Sequence, residues 1–152
     1  MQTKSYLLIV VLLATAFQAC KNSSKKESNF AMVKLEKDDK TFLALKDTAQ
    51  QHITLFTSSL KQHGASTNNY TFITKSDFEE NGIHEHMWSR VYTIDNNVLK
   101  GELIDSAFNL KHIKMHDKVE IKLNDVEDWV IYDRVNRQKL GGYSEKYLEG
   151  KQ

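Results

Sequence analysis

A chain of 152 residues with one cysteine, no proline and a formal net charge of +1 is long enough for one domain. A single thiol excludes an intramolecular disulfide, and the near-neutral charge argues against a nucleic-acid binder, which shows a basic excess or stripe.

The N-terminus is organised like an export signal. Lys4 gives it a positive start, residues 6–17 form an apolar run broken only by Thr15, and Phe17-Gln18-Ala19-Cys20 closes it. A run of about a dozen apolar residues is too short for a bilayer-spanning helix, which takes about 20, but it suits a cleaved signal. Small Ala19 before Cys20 fits a lipobox, although Phe17 and Gln18 depart from its commonest form. The expectation is a signal peptide over residues 1–19 and lipidation of Cys20, which makes the membrane a partner through an acyl anchor. An ordinary secretory signal with an incidental cysteine is the alternative. Against it, Cys20 is the only cysteine in the chain and stands where a lipobox requires it.

Residues 20–37 read as an acylated cysteine and a polar tether, since 21–29 are lysine, asparagine, serine and glutamate without periodicity. Loss of residues 1–19 removes Lys4 and no acid, leaving 20 basic and 20 acidic residues. No acidic run follows Cys20, which favours a periplasm-facing position in the cell envelope.

Residues 38–150 read as the folded domain. Phe42, Leu45, Ala49, Ile53, Phe56 and Leu60 recur at steps of three or four, the stripe of one amphipathic helix. Asp38 or Asp39 is expected to cap it, and Gly64 to stop it in a left-handed turn. From Tyr70 onward short β segments follow. Residues 70–78 are rich in aromatic and β-branched side chains, 79–82 read as a turn, and 84–94 alternate. That alternation places Trp88, Tyr92 and Ile94 on one side and Met87, Ser89, Val91 and Thr93 on the other. Asp95-Asn96-Asn97 is a second turn and residues 98–104 pair back. Residues 107–116 are irregular, 119–123 alternate, and 124–128 read as one helical turn capped by Asn124. Residues 129–132 and 140–143 are short strands, and 144–148 begin a terminal helix. The fold class is therefore α+β: one long amphipathic helix on a strongly curved, mainly antiparallel sheet of five to six strands.

Glu85-His86-Met87-Trp88, then Leu99-Lys100-Gly101-Glu102-Leu103, Asp117-Lys118-Val119, Asp128-Trp129 and Leu140-Gly141-Gly142-Tyr143 follow one another in the order of the YegJ-like family, domain of unknown function 2314, which this chain resembles from about Phe72 to Tyr143. Asp105-Ser106-Ala107 stands where that family usually has Asn-x-Pro, and His116-Asp117 where it prefers Gly-Asp. The resemblance implies a small α+β domain, exported in some members, and carries no activity, catalytic residue or ligand.

The residues themselves offer few chemical constellations. His84 and His86 share one side of a strand, and His112 and His116 are four apart, yet these spacings are undemanding and no metal or other cofactor is expected. Catalysis through His86 would need a carboxylate such as Glu85, Asp117 or Asp128, but Glu85 and His86 point to opposite sides of a strand and no nucleophile motif lies nearby. Trp88 is expected in the core, with His86 on the same side. Trp129 and Tyr143 read first as core or rim packing, and would form a peptide- or glycan-binding patch only if the curved sheet leaves either exposed. Gly141-Gly142 reads as a bulge or a close backbone approach. The sequence thus points to a lipid-anchored, non-enzymatic interaction module with candidate binding residues His86, Trp88, Trp129 and Tyr143. An envelope hydrolase or transferase and an immunity-type inhibitor are the alternatives.

Overall fold

A computed structural model describes residues 40–149. The expectations for the signal segment, Cys20, the tether and the Asp38 or Asp39 cap fall outside these residues. Residues 40–149 build an α+β domain with three α-helices and one six-stranded sheet.

The helical stripe is real, but the helix is not continuous. It divides into α1 (Lys40–Gln51) and α2 (Ile53–His63), with His52 between them at φ −102 and ψ 8. The break lies just after a bond from the sheet to the helix backbone: the Trp129 indole N–H donates to the Ala49 carbonyl at 2.9 Å, and next to it the Gln50 side-chain amide donates to the carbonyls of Leu123 and Val126. Phe42, Ala49, Phe56 and Leu60 are buried, as the spacing predicts. Gly64 ends α2 in a right-handed conformation, φ −57, so the left-handed stop is corrected. It is glycine for another reason. A Cβ there would stand 2.6 Å from the carbonyl oxygens of both Leu60 and Tyr92.

The strands are β1 (Tyr70–Glu80), β2 (Ile83–Asp95), β3 (Val98–Leu103), β4 (Lys118–Lys122), β5 (Val126–Asp133) and β6 (Gln138–Gly141). Their order in the sheet is β4-β3-β2-β1-β5-β6, every neighbouring pair antiparallel. Among the described residues β4 and β6 are the outer strands of an open sheet, and the strong curvature expected is not borne out. The tight turns hold where the sequence places them. Asn81-Gly82 and Asn96-Asn97 all have positive φ, the conformation that two-residue hairpins require. The helical turn before β5 is a 3-10 turn over Leu123–Asp125 and has no side-chain cap, so Asn124 is not its cap. The terminal helix is α3 (Tyr143–Glu149).

The register of β2 reverses one expectation. Met87, Ser89 and Val91 face the core, while Trp88 lies half-buried on the opposite side with His86. Trp88 is therefore not a core residue. The alternation then slips by one at Tyr92, an extra residue between the Val91–Gly101 and Thr93–Lys100 pairs. This bulge turns Ile94 back toward the core, where it packs. Gly101 permits it, since a Cβ there would overlap the Arg90 carbonyl. Phe56 meets Phe72 edge-on and Trp129 at a tilt, which joins α2 to the middle of the sheet. Leu99, Leu103, Val126 and Ile131 complete the same cluster.

Candidate functional site

The five short motifs resolve into distinct physical roles, and most of them build the fold. Asp128-Trp129 and Leu140-Gly141-Gly142-Tyr143 form one lock. The carboxylate of Asp128, 1% exposed, accepts from the backbone N–H groups of Trp129, Tyr143 and Ser144 and from the Ser144 hydroxyl at 2.6 Å. A buried charge is tolerated only when its acceptor sites are filled, and here they are. Gly141, φ +77, lies so close to Trp129 that a Cβ would overlap its carbonyl and come within 2.6 Å of its ring. The Gly142 N–H donates to that carbonyl at 2.8 Å. The glycines thus serve the close backbone approach read from the sequence.

This lock changes the standing of two candidate residues. Trp129 is 1% exposed, with its indole N–H satisfied by Ala49, so it belongs to the core and not to a surface patch. Tyr143 is half-buried, edge-on to Trp129 and stacked on His52, and burial pushes its phenol pKa up. Of the two readings the sequence left, core packing holds for Trp129 and rim packing for Tyr143.

Glu85-His86-Met87-Trp88 separates into four tasks. Met87 packs in the core. Glu85 accepts from the backbone N–H groups of Phe108, at 2.8 Å, and Asn109. Desolvation pushes its pKa up, but these N–H bonds together prevail and hold it below the ordinary value. Trp88 spends its backbone on the root of the 104–117 loop: its N–H donates to Asp105 at 2.8 Å and its carbonyl accepts from Ile104 at 3.0 Å. Its indole ring stays partly exposed, with the Lys75 ammonium 5.7 Å from the ring centroid, within cation–π range.

His86 has a carboxylate partner that sequence reasoning missed. Its Nδ1 lies 2.6 Å from Glu127 Oε2, and the other Glu127 oxygen is 3.8 Å from Lys46 Nζ on α1. The Glu127 side chain is 5% exposed and that of His86 24%. Glu127 reaches this place through a second bulge: β5 pairs Asp128 with Lys75 and Val126 with Ser76, leaving Glu127 as the extra residue. The contact takes up Nδ1, so any other partner of this ring would meet Nε2. The Phe42 ring stands 5.2 Å away, tilted by 59°. His84, on the same side of β2, meets Asp77 at 2.8 Å.

This is a base with an orienting acid, half of what acyl transfer uses. The adjacent positions of β1 and β2 do not supply the other half. The nearest hydroxyls in register, Ser76 and Ser89, share the core side with Met87, opposite His86. A hollow of about 30 Å³, room for one water, lies between the end of α2 and Tyr70, Phe72 and Tyr92, away from His86. His112 and His116 sit in an irregular loop and do not form the helical pair their spacing allows. Among the described residues no three histidine, cysteine or acidic side chains are gathered as a metal site.

The 104–117 loop is tied down along its length. Besides Glu85 and Asp105, Glu80 accepts from the N–H groups of Lys111 and His112, and Asp117 from that of Lys114. Leu110 is buried in the core cluster and Ile113 packs on it. Phe108, by contrast, is 81% exposed.

Over residues 38–151 the chain matches the family described as uncharacterized protein conserved in bacteria, DUF2314, and it belongs to that family. No curated protein and no solved structure matches it.

Proposed function

We propose that this DUF2314 domain is a non-enzymatic binding module of the bacterial cell envelope, held at the membrane through a lipid on Cys20 and facing the periplasm. The observation that carries the binding reading is the position of Trp88. Of the two tryptophans, Trp129 is sealed in the lock, whereas Trp88 is only half-buried, on the same side of β2 as His86 and near the Lys75 ammonium. An aromatic face with a cation and a hydrogen-bonding imidazole next to it suits a peptide or glycan partner, since such rings combine contact area with polar handles. The anchor rests on the signal-like residues 1–19 and the position of Cys20. Among the described residues no helix is long and apolar enough to cross a membrane.

Affinity capture from envelope extracts tests the binding reading. Trp88→Ala is expected to lose the specific partner with little change in melting temperature, and Trp129→Phe to lower the melting temperature while leaving the partner set intact. Identical partner sets for wild type and Trp88→Ala would contradict it. The anchor is tested apart from this: Cys20→Ser is expected to abolish fatty-acid labelling and release the protein from the membrane fraction.

The 2.6 Å His86–Glu127 contact favours a second reading, an envelope hydrolase or transferase in which His86 acts as the base and Glu127 orients it. In this reading a hydroxyl supplied by the substrate acts as the nucleophile. Activity abolished by His86→Gln, with folding intact, would select this reading over the first.

A further inference from the structure

We infer that the 104–117 loop docks the domain on an anionic phospholipid surface, with Phe108 entering the boundary between headgroups and acyl chains and Lys111, Lys114 and Lys118 meeting phosphates. The inference extends the membrane anchor proposed at Cys20, which keeps the loop near a bilayer.

A single exposed apolar residue is ordinary. Here it tops a loop that is otherwise fastened down. The N–H groups of Phe108 and Asn109 are held by Glu85, those of Lys111 and His112 by Glu80, and that of His116 by the Leu103 carbonyl. Leu110, two residues on, is 4% exposed. The backbone therefore presents Phe108 at 81% exposure in a fixed place, and Met115 on the same loop is 43% exposed. A preordered loop loses little entropy on docking.

Charge supplies the second observation. Four acids, Glu80, Glu85, Asp105 and Asp117, stand around the loop against Lys111, Lys114 and Lys118, a formal charge of −1 with histidine neutral, so their placement decides. The acids of this region are engaged with the chain itself: Glu80, Glu85, Asp105 and Asp117 each accept from backbone N–H groups, and Glu80 also lies 3.3 Å from His112. Lys111, Lys114 and Lys118 are exposed and form no ion pair among the described residues, and His116 is exposed beside them. The groups left facing outward are thus three ammonium groups and the Asp117 carboxylate, which is turned onto the Lys114 N–H, around an aromatic and a thioether side chain. That combination fits an anionic interface, where each lysine near the surface strengthens binding about fivefold and an inserted apolar side chain adds to it.

Chain length supplies the third. Cys20 stands 20 residues before Lys40, a span of at most about 70 Å when fully extended. An acyl group on Cys20 would hold the loop at a high effective concentration next to lipid, where a weak contact suffices. Such a second contact would fix which way the Trp88 side of the sheet faces, because the loop is rooted on the Trp88 backbone.

Vesicle co-sedimentation of the unacylated Cys20→Ser chain, from residue 20 onward, tests this directly. Binding to phosphatidylglycerol–phosphatidylethanolamine vesicles is expected to exceed binding to phosphatidylcholine vesicles and to fall as salt rises to about 0.5 M. Phe108→Ser is expected to lower the partition coefficient about tenfold, and Lys111→Gln with Lys114→Gln by about twentyfold or more. Val135→Ser is the control. Val135 is 61% exposed, in the β5–β6 turn at the Tyr70 end of the sheet, opposite the Glu80 end that holds the loop. It is expected to bind like wild type. Equal pelleting with both lipid compositions, a Phe108→Ser variant that binds like wild type, or an equal loss from Val135→Ser would overturn the inference. So would a soluble acidic protein captured through Phe108 with no affinity for the vesicles. The tested chain carries no lipid, so a failure here leaves Cys20 acylation standing, and unlabelled Cys20 leaves this result standing.

Discussion

Replacing Gly141 by alanine asks whether Trp129 and Tyr143 are held as one packed unit or are free to meet a ligand. Gly141 has φ +77, and a β-carbon there would overlap the Trp129 carbonyl and approach ring carbons Cε3 and Cζ3 to 2.6 and 2.8 Å. A left-handed conformation costs a residue with a side chain about 1–2 kcal/mol. Forcing an extra carbon into a filled core adds about 1–3 kcal/mol. The expected loss is therefore about 2–5 kcal/mol, a large share of the roughly 5–15 kcal/mol that stabilises a typical domain. Gly82 is the matched control, because it has φ +79 and a β-carbon there would meet nothing within 4 Å. Gly82→Ala carries only the conformational part, about 1–2 kcal/mol. Thermal unfolding followed by tryptophan fluorescence reads both, at about 4–8 °C per kcal/mol for a domain near this size. Gly141→Ala is expected to melt at least about 5 °C below Gly82→Ala. Equal melting temperatures would refute the close approach as the reason for glycine and reopen Trp129 to other roles.

Trp129→Phe removes the indole N–H that reaches Ala49 and leaves a buried carbonyl without that donor, so urea unfolding is expected to show a loss of about 1–3 kcal/mol. Glu127→Ala leaves His86 and Lys46 without their shared acid. Both partners are partly exposed, so the expected loss is about 1–2 kcal/mol, below that of a fully buried pair, and a denaturation curve matching wild type would contradict it. The Glu85 carboxyl is held below its ordinary value by loop N–H groups. Its contribution is present above the unfolded-state pKa, near 4.5, and is lost as pH falls through the lower folded value. The Phe108 and Asn109 amide resonances are expected to shift with an inflection below pH 4.5 in wild type and to lose it in Glu85→Gln.

The sequence made much of this architecture readable, for reasons that can be traced residue by residue. Aromatic and β-branched composition located β1 and period-two alternation β2 and β4, and the Asn81-Gly82 and Asn96-Asn97 turns fixed the hairpins because few other residues accept positive φ. Helical spacing found the residues of α1 and α2 but not the break at His52, since both halves continue one stripe and the break answers a bond from Trp129, 80 positions away. Bulges were illegible for the same reason. Whether Tyr92 or Glu127 is the extra residue depends on the partner strand, although Gly101 was an available signal of close approach at the first. The reversal of Trp88 and Met87 follows from amphipathic ambiguity, because either set on β2 could have filled a core. Glu127 escaped notice as a partner for His86 because the two lie on strands separated by β1 and are brought together by a bulge.

Site-specific photo-crosslinking in growing cells tests the central claim, that the Trp88 side of β2 is where a partner binds. A photoreactive residue at Arg90, exposed and two positions along the same side, is expected to yield a discrete crosslinked product that Trp88→Ala removes. The same residue at Val135 is expected to yield none. A product of the same size and abundance from both positions, or one from Arg90 that survives Trp88→Ala, would contradict the account.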